Sequence, residues 1–404
     1  MVQAELDAVL RRHELYLAGK SGGQRAKLTY ADLSGLSMVG RNLSDADLTG
    51  ANLLETNCLG AVFNNAILFC ANFAKADLRS ARLIRADLRG ASLRGADLTG
   101  ADLFDADLRD GLLAERGSDG DFKTIVIDEG ASDMAGAKMV NANLSRARMS
   151  GAIATSTNFT DALMRDCKLA RADLRNAVMD GANLEGADLN GADLRGASLR
   201  DAVLVRVDLT WADTGGADVE GLVTDRTMGR TLDQLGRPIA DLLLQHELFV
   251  DTAGARGAPL DVTGYDLRAA GTLSGMRLTA LRADGAVMVG MELEGAALQG
   301  AQFEGADLRS AKLVRADLRG ANLRHAKLSY ADLRDANLGA LLLDGGRMLP
   351  ARLDQARLRH ADLRGANLRR ASFVEADLLG VDLVGATLHG ADFDGADLRD
   401  VKRG

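Results

Sequence analysis

Residues 316–333 read Ala316-Asp317-Leu318-Arg319-Gly320, Ala321-Asn322-Leu323-Arg324-His325, Ala326-Lys327-Leu328-Ser329-Tyr330, Ala331-Asp332-Leu333. The phrase is alanine, a polar residue, leucine and two variable positions, and it recurs over most of the chain. A step of five turns an α-helix by about 140°, so successive leucines would spiral around the axis without forming a stripe. A straight strand fails too, because its side chains alternate with period two and Leu318 and Leu323 would face opposite ways. Alanine and leucine, two apart, can share one core only if the chain turns a corner at every fifth residue. Corners of one rotational sense make a coil, and stacked coils make a β-solenoid.

The central position runs in three registers: Leu28, Leu33, Met38 and onward to Leu108 and Leu113; Met134, Met139, Leu144 to Leu209; and Leu273, Leu278 to Leu398, with Phe303, Phe373 and Phe393 as replacements. The phrase resembles the A(D/N)LXX repeat of the pentapeptide-repeat family. The resemblance implies an all-β fold, a right-handed quadrilateral β-helix with four repeats per coil. Each buried leucine contributes on the order of 2 kcal/mol, and no repeat buries its apolar face alone, so stability is a nearest-neighbour sum along the rod. Alanine at the other inward position keeps the coil narrow and leaves no lumen for a substrate.

Two segments break the phrase. Residues 114–133 separate centres Leu113 and Met134, which are out of step by one residue, and Ser118, Lys123 and Asp128 cannot fill a core. This segment is expected to be an extruded acidic loop with a short strand at Thr124–Ile127. In the second break, 221–259, Ile239, Leu242, Leu243, His246 and Phe249 recur at helical spacing after Pro238. Residues 1–24 carry a matching segment, and Arg12-His13-Glu14-Leu15-Tyr16-Leu17 aligns with Gln245-His246-Glu247-Leu248-Phe249-Val250. The expected organisation is a capping helix over 1–24, a β-helix over 25–220, a linker with a second capping helix over 221–259, and a second β-helix over 260–404. Caps are needed because a terminal coil leaves a strand edge open. The last coil, near Phe393 and Leu398, has no helix after it and predicts a homodimer formed end to end.

The chain has 57 acidic and 49 basic residues, net charge −8, with 4% aromatics and 3 prolines. No apolar run near the start suggests a secretory signal, none is long enough for a membrane span, and 3 scattered cysteines make no disulfide framework. A cytoplasmic protein is expected. Cys58 and Cys167 fall at inward positions, where a thiol serves as a small apolar group.

Catalytic signatures are missing from the sequence: no GxxxxGK[ST] loop, no GxGxxG, no HExxH, no paired CxxC. His13 and His246 recur in the two helical segments and are expected to pack where helix meets coil. His325, His360 and His389 lie at outward or corner positions on separate repeats. No enzyme, metal or cofactor is expected. The exterior carries the remaining information. A column at twenty-residue spacing reads Glu292, Lys312, Asp332, Arg352, alternating in sign. Ile84 and Phe104 fall in another such column, with Leu54, Leu59 and Phe69 outward on nearby coils, and these large apolar residues form a candidate contact surface for a partner or for the 114–133 loop, which is expected to leave the rod beside Phe104. Trp211, at a corner near the end of the first rod, is counted with this candidate surface, and packing against the second helix is expected of it ahead of ligand binding.

The leading reading is a rigid, non-catalytic scaffold for a protein partner. The family resemblance implies an alternative, since some members imitate double-stranded DNA and bind type II topoisomerases such as gyrase. Mimicry requires one sign of charge along the rod. Up to residue 222 the chain has 32 acidic and 25 basic residues, whereas the remainder has 25 and 24. Interleaved aspartates and scarce aromatics also make direct nucleic-acid binding a poor expectation.

Overall fold

The computed structural model describes residues 1–111, 113–116, 122–125 and 130–403. The chain divides into two compact units, Met1–Arg226 and Thr227–Gly404. Both are β-solenoids. In the first, parallel bridges join each repeat to the one twenty residues on, from Lys27 to Asp47, Ile67, Asp87 and Asp107, and ladders starting at Asp32, Ser37 and Asn42 run beside it.

Residues 46–50 show why the phrase has its composition. Ala46 N–H donates to Leu43 O within the coil, Asp47 N–H to Ala26 O on the preceding coil, and Leu48 and Gly50 N–H to Ile67 O and Phe69 O on the next. The one amide left over, Thr49 N–H, donates to the Asp47 carboxylate at 3.1 Å. All five donors of the repeat are thereby satisfied, as backbone away from water requires. Asp or Asn stands second because its short side-chain acceptor reaches the amide two residues on. The fifth residue turns the corner in the left-handed region, as in Gly50 (φ 63), Asp45 (φ 61) and Arg85 (φ 56). Each non-glycine corner costs about 1 kcal/mol, which the closed hydrogen-bond set offsets. The interior is solid: Leu33, Leu43, Leu53, Ala51 and Ala61 are fully buried, and Phe63 meets Phe73 edge to face at 5.9 Å.

Between Asp107 and the next coil the bridge spacing widens. Ser92 pairs with Asp133 and Asp107 with Arg148. Leu113 therefore stands outside this ladder of bridges. It opens a hairpin in which Leu113–Arg116 pairs antiparallel with Phe122–Ile125. The expected strand Thr124–Ile127 is thus displaced toward the N-terminus, and Ile127 lies outside the described residues. The coil resumes at Ser132, whose hydroxyl donates to Leu88 O and Arg109 O from an inward position normally held by alanine.

The second unit contains an excursion that the register hides. Asn322 pairs with Arg352 and Asn337 with Asn367, thirty residues apart. The extra ten residues are two whole repeats, so the leucine count stays in phase while Leu343 and Met348 leave the core. Here Leu341–Leu342 and Met348–Leu349 form an antiparallel hairpin, and Leu342 is 65% and Met348 43% exposed. The column of alternating charge is corrected by the same excursion: Asp332 bridges to Asp362, and Arg352 belongs beside Asn322.

Helix α1 spans Gln3–Leu17 and α2 spans Ile239–Asp251. Leu6 and Leu10 of α1 join the core of the first unit, and Leu243 of α2 joins that of the second. Each unit extends past the sequence boundary that was expected. Val223–Thr224 pairs with Val203–Leu204 in the first, and Arg230, ahead of α2, bridges to Tyr265 in the second.

Candidate interaction surface

Corner hydrogen bonds sort the outward residues into columns. Gly50 N–H donates to Phe69 O and Cys70 N–H to Arg89 O, so Phe69 stands in one column with Arg89. Glu55 N–H donates to Ala74 O, Gly60 N–H to Arg79 O and Arg85 N–H to Phe104 O, which puts Leu54, Leu59 and the Ile84–Phe104 pair into three others. Ile84 and Phe104 thus share a column, as their spacing of twenty implies, and Leu54, Leu59 and Phe69 stand on three different ones.

Their environments differ as well. The Arg89 guanidinium lies 5.2 Å over the Phe69 ring, and a Cβ on Gly111 would approach Phe69 Cε2 to 2.7 Å. Phe69, not Phe104, is thus the residue under the chain as it leaves the coil. Phe104 carries Arg146 at 5.3 Å over its own ring. Leu54 and Ile84 are half-buried and Leu59 is exposed. Trp211 is 87% exposed, contrary to the expectation that it packs away. The exposed pair Leu342 and Met348 was missed. The signal was present in the sequence, since Leu341 and Gly346 stand where the phrase demands alanine.

Charge on the exterior is neutralised locally. In each Ala-Asp-Leu-Arg repeat the arginine folds back onto the aspartate two residues before it. Arg79 Nε lies 2.8 Å from Asp77 Oδ1, Arg334 Nε 2.8 Å from Asp332 Oδ1 and Arg364 Nη2 2.6 Å from Asp362 Oδ2. The Arg195 and Arg399 forks hold the carboxyls of Asp193 and Asp397 down at about 2. Between coils, Lys312 Nζ meets Glu292 at 2.9 Å, and Glu185 takes Arg165 at 3.0 Å and Arg206 at 2.7 Å. Paired charges of this kind add little stability, and they leave an acidic excess of 7 up to residue 222 (32 against 25) and of 1 beyond it (25 against 24).

An open groove of about 430 Å³ follows the excursion in the second unit, lined by Arg324, Pro350, Arg352, Asp354, Ser372 and Glu375. Its charges are already engaged: Arg352 binds Asp354 at 3.1 Å and Ser372 donates to the same carboxylate. A void under α2, between Ile239, Leu243, Leu260 and Leu273, is about 10 Å³, at most the space of one water. Among the described residues no group of three or more His, Cys, Asp or Glu is placed to hold a metal ion. Burial pushes the Cys58 and Cys167 thiols up to about 12, so neither supplies a thiolate nucleophile.

A family model described as pentapeptide repeats matches residues 42–68, 71–110, 131–204, 273–339 and 351–400 in overlapping copies, more than half of the chain. No curated protein matches the sequence. Among solved structures, Rfr23, a pentapeptide repeat protein from the cyanobacterium Cyanothece 51142, is 28% identical and covers 35% of this chain and 88% of its own, with a TM-score of 0.22. HetL, a pentapeptide repeat protein involved in heterocyst differentiation regulation from Nostoc sp. strain PCC 7120, is 23% identical, covering 96% and 93% with a TM-score of 0.16. Full-length QnrB1, a plasmid-mediated fluoroquinolone resistance protein, is 18% identical, covering 52% and 99% with a TM-score of 0.25.

Proposed function

The chain belongs to the pentapeptide-repeat family, and from that premise we propose that it acts as a rigid, non-catalytic scaffold that binds a protein partner through its outer surface. The observation that carries this reading is a solid interior inside an exterior of paired charges, from which large apolar side chains project. Trp211 and Leu342 are the most exposed of them, and tryptophan is enriched among the residues that anchor interfaces. The reading includes a right-handed, four-sided coil, with α1 and α2 as caps. Support for the caps comes from Gln3, whose amide gives and takes hydrogen bonds with the Ser37 backbone at 2.9 Å and so occupies the edge that a preceding coil would otherwise fill.

Affinity capture with the full chain tests the scaffold reading. A folded Trp211→Ala or Leu342→Asp variant should lose the captured protein, and equal capture by both variants would count against these residues as anchors. The alternative, modulation of a type II topoisomerase by DNA mimicry, predicts that excess protein protects gyrase or inhibits it in a supercoiling assay. The Asp–Arg forks favour no effect. Half-buried Phe393, Ala396 and Leu398 on the last described coil support a second copy meeting the first end to end. A monomeric mass by light scattering at micromolar concentration would remove that part of the proposal.

A further inference from the structure

Both helices are fastened to the coil behind them by the same device, built from residues that align between the two halves. His13 is fully buried. Its Nδ1 accepts from Ala26 N–H at 3.1 Å, and its Nε2 stands 3.0 Å from Ser44 O. A ring that accepts at one nitrogen and donates at the other is neutral, with its proton on Nε2. His246 is likewise fully buried, and its Nδ1 accepts from Leu260 N–H at 2.9 Å. Its Nε2 faces the backbone of Leu278 and Thr279 and completes no hydrogen bond there. Each ring is stacked on the aromatic residue three positions later, His13 on Tyr16 at 5.8 Å and His246 on Phe249 at 6.3 Å. The turns that bring the coil back also match: Gln24 N–H donates to Arg12 O at 3.0 Å, and Ala258 N–H to Gln245 O at 3.1 Å.

We propose that each helix is held by a neutral-histidine latch, and that mild acid releases α1 and α2 from their first coils while the solenoids stay folded. A proton on Nδ1 would destroy the acceptor and set two N–H groups against each other inside a buried contact, where an unmade hydrogen bond costs its full desolvation. The charged groups around His13 are Glu14 on its own helix, Asp45 at a corner and Arg25 on the returning chain. Glu14 is itself paired with Arg41 at 2.9 Å. The two carboxylates favour the cation and Arg25 opposes it, but burial outweighs them and lowers the pKa from the ordinary 6.5. For His246 the facing charge is Glu247, which is engaged by Arg277, and burial again lowers the pKa. A folded-state pKa below the unfolded value means that the latch is at full strength above about 6.5 and is lost as pH falls toward the folded value.

Hydrogen exchange of the full chain between neutral pH and pH 4, corrected for intrinsic rates, tests the latch. Protection of 3–17 and 239–251 should fall by up to about tenfold per pH unit below 6.5, while 46–108, which contains no histidine, keeps its protection. In His13→Gln/His246→Gln, whose amide can accept and donate without titrating, the pH dependence of the helices should disappear. If glutamine fails to dock a helix at neutral pH, the single His13→Asn and His246→Asn variants replace it, and the wild-type profile still decides. Helices that keep their protection down to the acid unfolding of 46–108, or a pH dependence that survives both substitutions, would overturn the proposal.

Discussion

Two glycines show how closely a single atom is specified. A Cβ on Gly257 would lie 2.2 Å from Gln245 O and 2.5 Å from Phe249 N, and one on Gly23 would lie 2.4 Å from Tyr16 N. The neighbours are helix backbone, which cannot yield as a side-chain tip does. Gly275 also has a positive φ (69°), but nothing stands within 4 Å of its Cβ. Gly275→Ala should therefore cost about 1 kcal/mol from backbone strain alone. Gly257→Ala should cost clearly more, read as a larger drop in denaturant midpoint for the second unit. Equal losses would show that the turn moves away from α2 freely. At the same scale, Asn158 accepts from Thr160 N–H at 2.9 Å, and Asn158→Ala should cost about 1 kcal/mol by stranding that amide. A loss within the noise of the denaturation curve would mean that water replaces the side chain there.

The elements differ in how far a sequence declares them. The repeats are legible because every fifth residue must meet the same core, and the helices because their leucines return at helical spacing. The 114–133 break is legible because it shifts the phrase by one residue, which no coil can absorb. The hairpin at 341–349 stays hidden because ten residues are two phrases, so Leu343 and Met348 keep step without being buried. Only the missing alanines at Leu341 and Gly346 mark it. The outward residues are legible in the same way as the repeats. Ile84 and Phe104, twenty apart, read as one column, and what the spacing does not declare is which outward residue the chain crosses as it leaves the coil, which is Phe69, 2.7 Å from where a Cβ on Gly111 would stand. Joining Ala340 directly to Ala351 should restore the twenty-residue spacing and leave a folded second unit. The deletion gives up the packing of Leu341 and Leu349 against Gly320 and shortens a closed loop, two effects of order 1 kcal/mol and opposite sign. A collapse of far-UV circular dichroism in this variant would mean that the hairpin is part of the fold and not an ornament on it.

At the scale of the whole chain, two kinds of titrating group act in different pH windows. The histidine latches weaken from about pH 6.5 downward. His360, stacked on Tyr330 at 5.4 Å, is held down to about 4 by burial, so its contribution to the second unit fades over the same range. The aspartates behave otherwise. Asp77, Asp107, Asp173 and Asp362 are all held below the usual carboxylate value. Hydrogen bonds from the arginine two residues on are the first cause for Asp77 and Asp173. For Asp107 and Asp362 the same bonds, with nearby arginine charge, outweigh a burial effect of opposite sign. For a depressed carboxyl the stabilisation is complete above the unfolded value of about 4 and is lost as pH falls through the folded one, about 2 for Asp193 and Asp397. Because such pairs recur in both solenoids and each repeat rests on its neighbours, many small losses arrive together. Acid titration should therefore proceed in two stages, with loss of helical signal in the mildly acidic range and loss of the solenoid signal only below about pH 4. Circular dichroism that falls in one step, with helix and solenoid together, would show that the helices hold the coils in place and are not merely latched to them.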